Sequence, residues 1–153
     1  MTEETMEIVT QNIELASNTV TSFKDDLFTE MREQGYWASF AVETMDDKKN
    51  LYRARNDNEL LKDHMDEPIA IAGIVLDTVQ INDEQVGAKT VPCVHIIDVT
   101  GRVFQSSSSG VVTSACDIIS SFGMPDTWDE PLQVACRETN TAKGYRYKYL
   151  ALV

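Results

Sequence analysis

The chain has 153 residues, of which 42% are hydrophobic, and its 25 acidic and 13 basic residues give a formal net charge of -12. This length provides one well-buried core and excludes two ordinary domains joined by a linker. The acidic residues 1–7 do not match a basic secretory signal, and no apolar run has the length of a membrane span, so we expect a cytoplasmic protein.

Residues 1–34 are expected to form an acidic N-terminal extension, and residues 35–153 the folded domain. Apolar residues recur every three or four positions in the extension, which suits an amphipathic helix. These residues are Val9, Ile13, Ala16, Val20, Phe23, Leu27 and Met31. Residues 18–21 are poor helix formers, so partial disorder and folding against a partner are alternatives.

The next segment predicts one short strand and two helices. Residues 36–43 alternate in the manner of a strand. Thr44 and Asp47 resemble a capping pair, which predicts a helix from Met45 to about Arg55. A second short helix is expected over residues 58–64, with Leu60 and Leu61 turned inward.

From Pro68 onward the predicted order is strand, strand, tight turn, strand, helix, strand, strand. The expected strands are Ile69–Ile81, Thr90–Val99, Arg102–Gln105, Leu132–Arg137 and Tyr145–Val153, and the helix follows its cap at Ser109. Gly73 interrupts the first strand, which predicts a bend or bulge. The order matches an α+β, mainly β fold: a five-stranded OB barrel preceded by a strand and a helical extension. Such barrels bind oligonucleotides and oligosaccharides.

The sequence contains little that indicates an enzyme. The sequence lacks a Walker phosphate loop, a dinucleotide fingerprint and a Gly-x-Ser-x-Gly elbow. Cys93 and His95 form a Cys-x-His pair, but its spacing relative to His64 and Cys136 is not that of a common zinc module, and a nucleophilic pair would need a third orienting group. We therefore expect no catalysis, no metal and no cofactor, and we expect the three cysteines to be buried, reduced thiols.

The distribution of charge leaves room for an anionic partner. Residues 1–67 carry 16 acidic and 7 basic residues, whereas residues 68–153 carry 9 and 6. Five of the six basic residues in the second half fall on the predicted third strand or the last hairpin: Arg102, Arg137, Lys143, Arg146 and Lys148. A basic face on an acidic body is therefore expected, although the net charge opposes nucleic-acid binding at long range.

The last hairpin combines aromatic and basic residues. Alternation over residues 143–149 places three tyrosines on one face of the strand and two cations on the other. Unpaired bases need flat stacking partners, and their backbone needs cations. The alternative is that the tyrosines, and Phe104, simply pack on the barrel. The expected nucleic-acid-binding residues are Lys89, His95, Arg102, Phe104, Arg137, Lys143, Tyr145, Arg146, Tyr147, Lys148 and Tyr149.

Several short pieces carry a resemblance to a known family. The most specific is Phe-Gly-Met-Pro-Asp-Thr-Trp-Asp-Glu-Pro-Leu over residues 122–132. Weaker pieces are Leu51–Asn56, Asp63–His64, Val94–Asp98 with Gly101 and Phe104, and Ser109–Gly110. Over residues 36–153 the sequence resembles the small OB-fold single-stranded DNA-binding proteins of bacteriophages and related mobile elements.

The resemblance implies sequence-independent coating of single-stranded DNA during replication or recombination of a phage or mobile-element genome, in the host cytoplasm and without catalysis. Replication proteins are expected partners, with the acidic extension as the segment that recruits them. Pairing of edge strands or of N-terminal helices would give a homo-oligomer.

Two other functions compete with DNA binding. An acidic OB-like module that binds a host protein, as a DNA mimic, is favoured by the net charge and disfavoured by the basic hairpin. A small enzyme of unrecognised type is the third alternative. Gel shifts with single-stranded and double-stranded DNA, together with a mass-spectrometric check for metal, separate the three.

Overall fold

A computed structural model describes residues 23–153 of the chain. Over these residues it contains one curled, seven-stranded sheet and three helices, a mainly β arrangement compatible with an OB-like fold. The helices are residues 23–34 (α1), Met45–Asn56 (α2) and Ser109–Phe122 (α3). The strands are Trp37–Ala38 (β1), Glu59–Leu60 (β2), Ile69–Asp83 (β3), Gly87–Asp98 (β4), Val103–Ser106 (β5), Leu132–Asn140 (β6) and Arg146–Leu152 (β7).

The helical pattern predicted for the N-terminal extension is described only from residue 23. In that part the chain is helical, and Leu27 and Met31 are buried in the main core. The positions from Val9 to Val20 lie outside the described residues. No helix within residues 23–153 has the length and apolar character required to cross a lipid bilayer.

The long strand β3 organises the sheet. The strands are ordered β2-β5-β4-β3-β6-β7, and β1 pairs separately with β3. The β3–β4 register shifts between Ile71 and Gly73, which confirms the predicted irregularity at this glycine. A Cβ atom at Gly73 would lie 3.3 Å from the Phe40 ring, so glycine also makes room for that ring.

The sheet does not close by backbone pairing in the described part of the chain. The free edge of β5 is taken by the two residues of β2, which run parallel to it, and no ladder joins β5 to β7. Helix α3 lies against β7 instead. The Leu150 amide donates to the Ser114 hydroxyl at 3.1 Å, and Gly110 approaches the backbone of Lys148 closely.

Apolar side chains cover both faces of the sheet. The main core lies on the inner face, where strand residues such as Ile74, Ile96 and Phe104 pack against Val111 and Ile119 of α3. On the outer face, α2 covers β3 and β5 through a second cluster of Leu51, Ala54, Val75 and Val103. The central strands therefore have no solvent-exposed face where α2 lies over them.

The start of α2 confirms the capping pair. The Asp47 amide donates to the Thr44 hydroxyl, and the Asp47 carboxylate accepts from the Thr44 amide, each at 3.1 Å. These bonds satisfy amide groups that the first helical turn leaves without partners. The hydrogen bonds lower the pKa of the Asp47 carboxyl.

Other predicted boundaries were wrong. The strand expected over residues 36–43 is limited to two residues, because its pairing partner β3 is irregular at Gly73. The helix expected over residues 58–64 is instead β2 followed by one turn of 3-10 helix, with Leu61 buried and Leu60 exposed. Ser108 rather than Ser109 occupies the N-cap of α3.

Candidate nucleic-acid interface

The β6–β7 hairpin presents tyrosine rings on one face. Its register pairs Thr139 with Tyr147 and Arg137 with Tyr149, so these four side chains share that face. The rings of Tyr147 and Tyr149 are stacked, with centroids 6.1 Å apart and planes inclined by 16°. Tyr145, at the turn, is 68% exposed, and Tyr147 is 40% exposed. Two of the three predicted tyrosines are therefore open to a ligand.

Lys148 lines a polar cleft between β5 and β7. The cleft has a volume of about 300 Å³ and includes Lys62, which follows β2, and Gln105 of β5. Its remaining lining residues are Leu60, Ser106, Ser107 and Ser108. Two ammonium groups, three hydroxyl groups and no carboxylate line the cleft, so its chemistry suits an anion such as phosphate.

The hairpin is locally basic. Residues 132–153 contain four basic residues and one acidic residue, Glu138. Glu138 lies 3.9 Å from Arg146, whose side chain is largely exposed. Within residues 23–153, Lys62, Lys143 and Lys148 form no ion pair within 4.0 Å. These ammonium groups are available to an anionic ligand.

The other predicted cations are paired with carboxylates. Arg102 donates two hydrogen bonds, of 2.9 and 2.8 Å, to the Glu59 carboxylate, which raises the pKa of its guanidinium. Lys89 lies 3.7 Å from Asp83. Arg137 lies 3.8 Å from Asp66. All three are exposed, and a phosphate would have to compete with the carboxylate at each.

Phe104 and His95 lie inside the protein. Phe104 is 2% exposed, and its ring is T-shaped to the His64 ring, with centroids 5.3 Å apart, and lies 4.8 Å from the guanidinium carbon of Arg102. His95 is 3% exposed, on the part of β4 that α2 covers. A base cannot stack on Phe104 in this arrangement, and a phosphate cannot reach His95. The structure does not bring these two predicted residues to the surface.

His95 belongs to a buried polar network. Arg55 donates to Asp77 at 2.7 Å, His95 Nε2 lies 3.9 Å from that carboxylate and 3.6 Å from Cys93 Sγ, and Asn58 contacts His95 Nδ1 at 3.2 Å. Burial lowers the pKa of His95 to about 4 and raises the pKa of the Cys93 thiol to about 11.

The network therefore favours a neutral imidazole beside a protonated thiol. A nucleophilic cysteine needs the opposite arrangement, a thiolate next to an imidazolium. Within residues 23–153, no three His, Cys, Asp or Glu side chains are grouped so that they could hold a metal ion. The network holds α2 against the sheet.

Acid should weaken the fold through His95. Because its pKa in the folded protein is below the ordinary 6.5, the unfolded chain takes up a proton that the folded protein does not as pH falls below 6.5. We expect this histidine to lower the free energy of unfolding by about 2 kcal/mol between about pH 7.5 and pH 5.

Urea unfolding at the two pH values, for wild type and His95→Gln, measures this contribution. The acid-induced loss of stability should be about 2 kcal/mol smaller in the variant, since glutamine does not titrate. Equal losses in the two proteins would show that His95 is not the group responsible.

Lys62 and the serines of the cleft are not among the binding residues predicted from the sequence. The sequence predicts Lys62 within a helix, whereas in the structure it reaches the cleft because β2 pairs with β5, more than forty positions further along the chain. The run of serines at 106–109 was the available signal, since it lies between a strand and a helix start. Nothing in the local pattern indicated which lysine would face it.

The most specific piece of the family resemblance forms a compact loop after α3. Trp128 donates its indole N–H to the Phe122 carbonyl at 2.8 Å, and the two rings meet edge to face at 6.3 Å. The Thr127 hydroxyl donates to the Met124 carbonyl at 2.7 Å, and Pro125 is buried. These contacts give the motif a structural role next to the start of β6.

Comparison with family models gives one finding. The model described as phage single-stranded DNA-binding protein matches residues 30–153. The match includes the sheet, all three tyrosines of the hairpin and the cleft. Comparisons with curated proteins and with solved structures found no match.

Proposed function

The chain belongs to the phage single-stranded DNA-binding protein family, and from this premise we propose that it coats single-stranded DNA, without regard to sequence and without catalysis, during replication or recombination of a phage or mobile-element genome. Its site of action would be the cytoplasm of the host, and replication proteins would be its partners. We also assign β3–β7 to the five strands of an OB barrel. Two observations support this assignment: the strands are ordered β5-β4-β3-β6-β7 in the sheet, and α3 lies between β5 and β6 along the chain.

The β6–β7 hairpin carries the proposal. It exposes Tyr145 and Tyr147 on a segment whose net charge is positive, although the whole chain is strongly acidic. Lys148 extends the basic surface into the serine-lined cleft, where Lys62 adds a second ammonium group. The tyrosines and Lys148 alternate between the two faces of β7, so the bound strand would cross the edge of β7 to contact both.

Binding would proceed in two physical steps. The local positive field of the hairpin and cleft attracts phosphates and releases their counterions. Bases then stack on Tyr145 and Tyr147, each contributing roughly 1–3 kcal/mol. Since every base has a flat face, stacking does not discriminate strongly between sequences. Duplex DNA keeps its bases stacked internally, so it can use only the first step.

Titration of a short labelled oligo-dT, of about 10 nucleotides, by fluorescence anisotropy tests the proposal. Four ammonium or guanidinium groups, those of Lys62, Lys143, Arg146 and Lys148, should release counterions from single-stranded DNA. We therefore expect log K to fall with log salt with a slope of about -3, shallower than for a strongly basic binder. Mixed-sequence single strands should bind within a few-fold of oligo-dT, and duplex at least about tenfold more weakly.

A matched pair of variants tests whether the cations of the hairpin and cleft cause the salt dependence of DNA binding. Lys143→Ala should make it shallower by about 0.7, whereas Arg32→Ala, an exposed cation on α1, should not change it. Absence of binding even at low salt, or a preference for duplex, would contradict the proposal. Binding of a host protein without DNA binding would favour the interaction-module alternative.

A further inference from the structure

Helix α2 exposes an aromatic and basic surface, here called the α2 surface, on the side opposite the sheet. Leu51 and Ala54 are buried against the sheet, so the opposite side of the helix, which carries Tyr52 and Arg53, turns outward. Tyr52 is 70% exposed and Met45 67% exposed. These two share a depression of about 450 Å³ with Lys48, Lys49 and Arg53.

The cations of the α2 surface have no carboxylate partners in the described part of the chain. Lys48 and Lys49 form no ion pair within 4.0 Å among residues 23–153, and Arg53 bonds instead to the neutral side chain of Asn50 at 3.0 Å. The nearby Asp47 carboxylate is occupied by the backbone amides of Glu43 and Thr44. Three positive charges therefore surround one exposed ring.

The position of α2 on the sheet is a second reason to expect DNA at the α2 surface. OB barrels bind oligonucleotides on the face of their second and third strands, which in this chain are β4 and β5. On these strands the outward side chain of Val103 is buried under α2, and that of Ile97 is partly buried against the same cluster. A strand of DNA that follows this side of the protein would meet the α2 surface rather than the sheet itself.

We propose that the α2 surface is a second contact site for single-stranded DNA, in which a base stacks on Tyr52 and the flanking phosphates bind Lys48, Lys49 and Arg53. This inference rests on the proposed function. Charge complementarity selects the ligand, because three cations and an exposed ring match the backbone and bases of a single strand. Together with the hairpin, this surface would lengthen the DNA segment that each molecule covers.

Anisotropy titrations with Tyr52→Ala and with Lys48→Gln/Lys49→Gln test the site. On an oligo-dT of about 30 nucleotides, Tyr52→Ala should raise Kd roughly tenfold, while Tyr52→Phe, which keeps the ring, should stay near wild type. The three added cations should steepen the salt slope of this long strand to about -5, and the double lysine variant should make it shallower by about 1.4. Arg32→Gln, which removes one positive charge from α1, is the control and should change neither quantity.

Photo-crosslinking of an iodouridine-substituted strand, followed by peptide mapping, gives a direct readout, and we expect crosslinks at Tyr52. If wild type binds the strand but all α2 variants bind equally well and crosslinks are confined to the hairpin, the inference is wrong and the proposed function stands. If wild type does not bind, the proposed function itself fails. Variants that change sedimentation but not DNA binding would show that this surface pairs copies of the chain, which also overturns the inference.

Discussion

Replacing Gly110 by alanine is expected to destabilise the fold by about 4 kcal/mol or more, the largest effect that we predict for a single substitution. Gly110 is buried in the first turn of α3, where the helix meets β7. A Cβ atom there would overlap the carbonyl oxygen of Lys148 and lie 2.7 Å from the Tyr147 ring. Backbone cannot yield as a flexible side chain does, so α3 and β7 would have to separate.

Urea unfolding measures this loss, and Ser109→Ala provides the matched control. Ser109 is the exposed neighbour of Gly110, and its substitution adds no atom at the contact with β7, so we expect a change within about 0.5 kcal/mol. A Gly110→Ala protein as stable as wild type would mean that the helix does not approach β7 as closely as described. Because Tyr147 lies at the same contact, the variant should also weaken DNA binding.

Replacing Tyr145 and Tyr147 together by alanine is expected to raise Kd for single-stranded DNA about 100-fold. Each ring should contribute roughly 1–3 kcal/mol of stacking, and a hundredfold change corresponds to about 3 kcal/mol. Tyr145 is 68% exposed and Tyr147 is 40% exposed, so each ring has surface available to a base. Anisotropy at constant salt measures the change.

The corresponding phenylalanine variants separate stacking from hydrogen bonding. Tyr145→Phe and Tyr147→Phe keep the flat rings and should bind within about threefold of wild type. A thermal melt must accompany the alanine variants, since Tyr147 also packs near Gly110. Unchanged affinity in a folded double-alanine protein would place the stacking residues elsewhere on the chain.

Local patterns in the sequence predicted the regular elements well. The Thr44–Asp47 pair located the start of α2, and the predicted serine cap located the start of α3 to within one residue. Gly73 marked the irregularity in β3. Each of these signals depends on interactions between residues only a few positions apart, so a short stretch of sequence is enough to predict it.

The burial of Phe104 and His95 could not be predicted in the same way. Alternation distinguishes an inner face from an outer face only when one of them meets water. In β5, Val103 packs under α2 while Phe104 packs into the main core, so both faces are apolar. Near its turn the hairpin has no such cover, and residues 137–147 are exposed.

Long-range strand pairing explains why β2 and the position of Lys62 were not predicted from the sequence. The two residues of β2 read as part of a helix because nothing near them indicates a strand, and only their pairing with Phe104 and Gln105 makes them one. That pairing is also what brings Lys62 to the cleft. A contact between segments so far apart in sequence depends on the completed sheet, which no local window contains.

The three cysteines are distributed so that each reports on a different part of the molecule. Cys93, Cys116 and Cys136 are free and buried, in β4, α3 and β6 respectively. Burial raises the pKa of all three thiols, to about 11 for Cys93 and Cys116, so none should react with an alkylating reagent while its element is closed. The rate at which each is labelled in the native protein therefore measures how often that strand or helix opens, and a bound DNA strand that bridges the hairpin and the cleft should slow the labelling of Cys136 first.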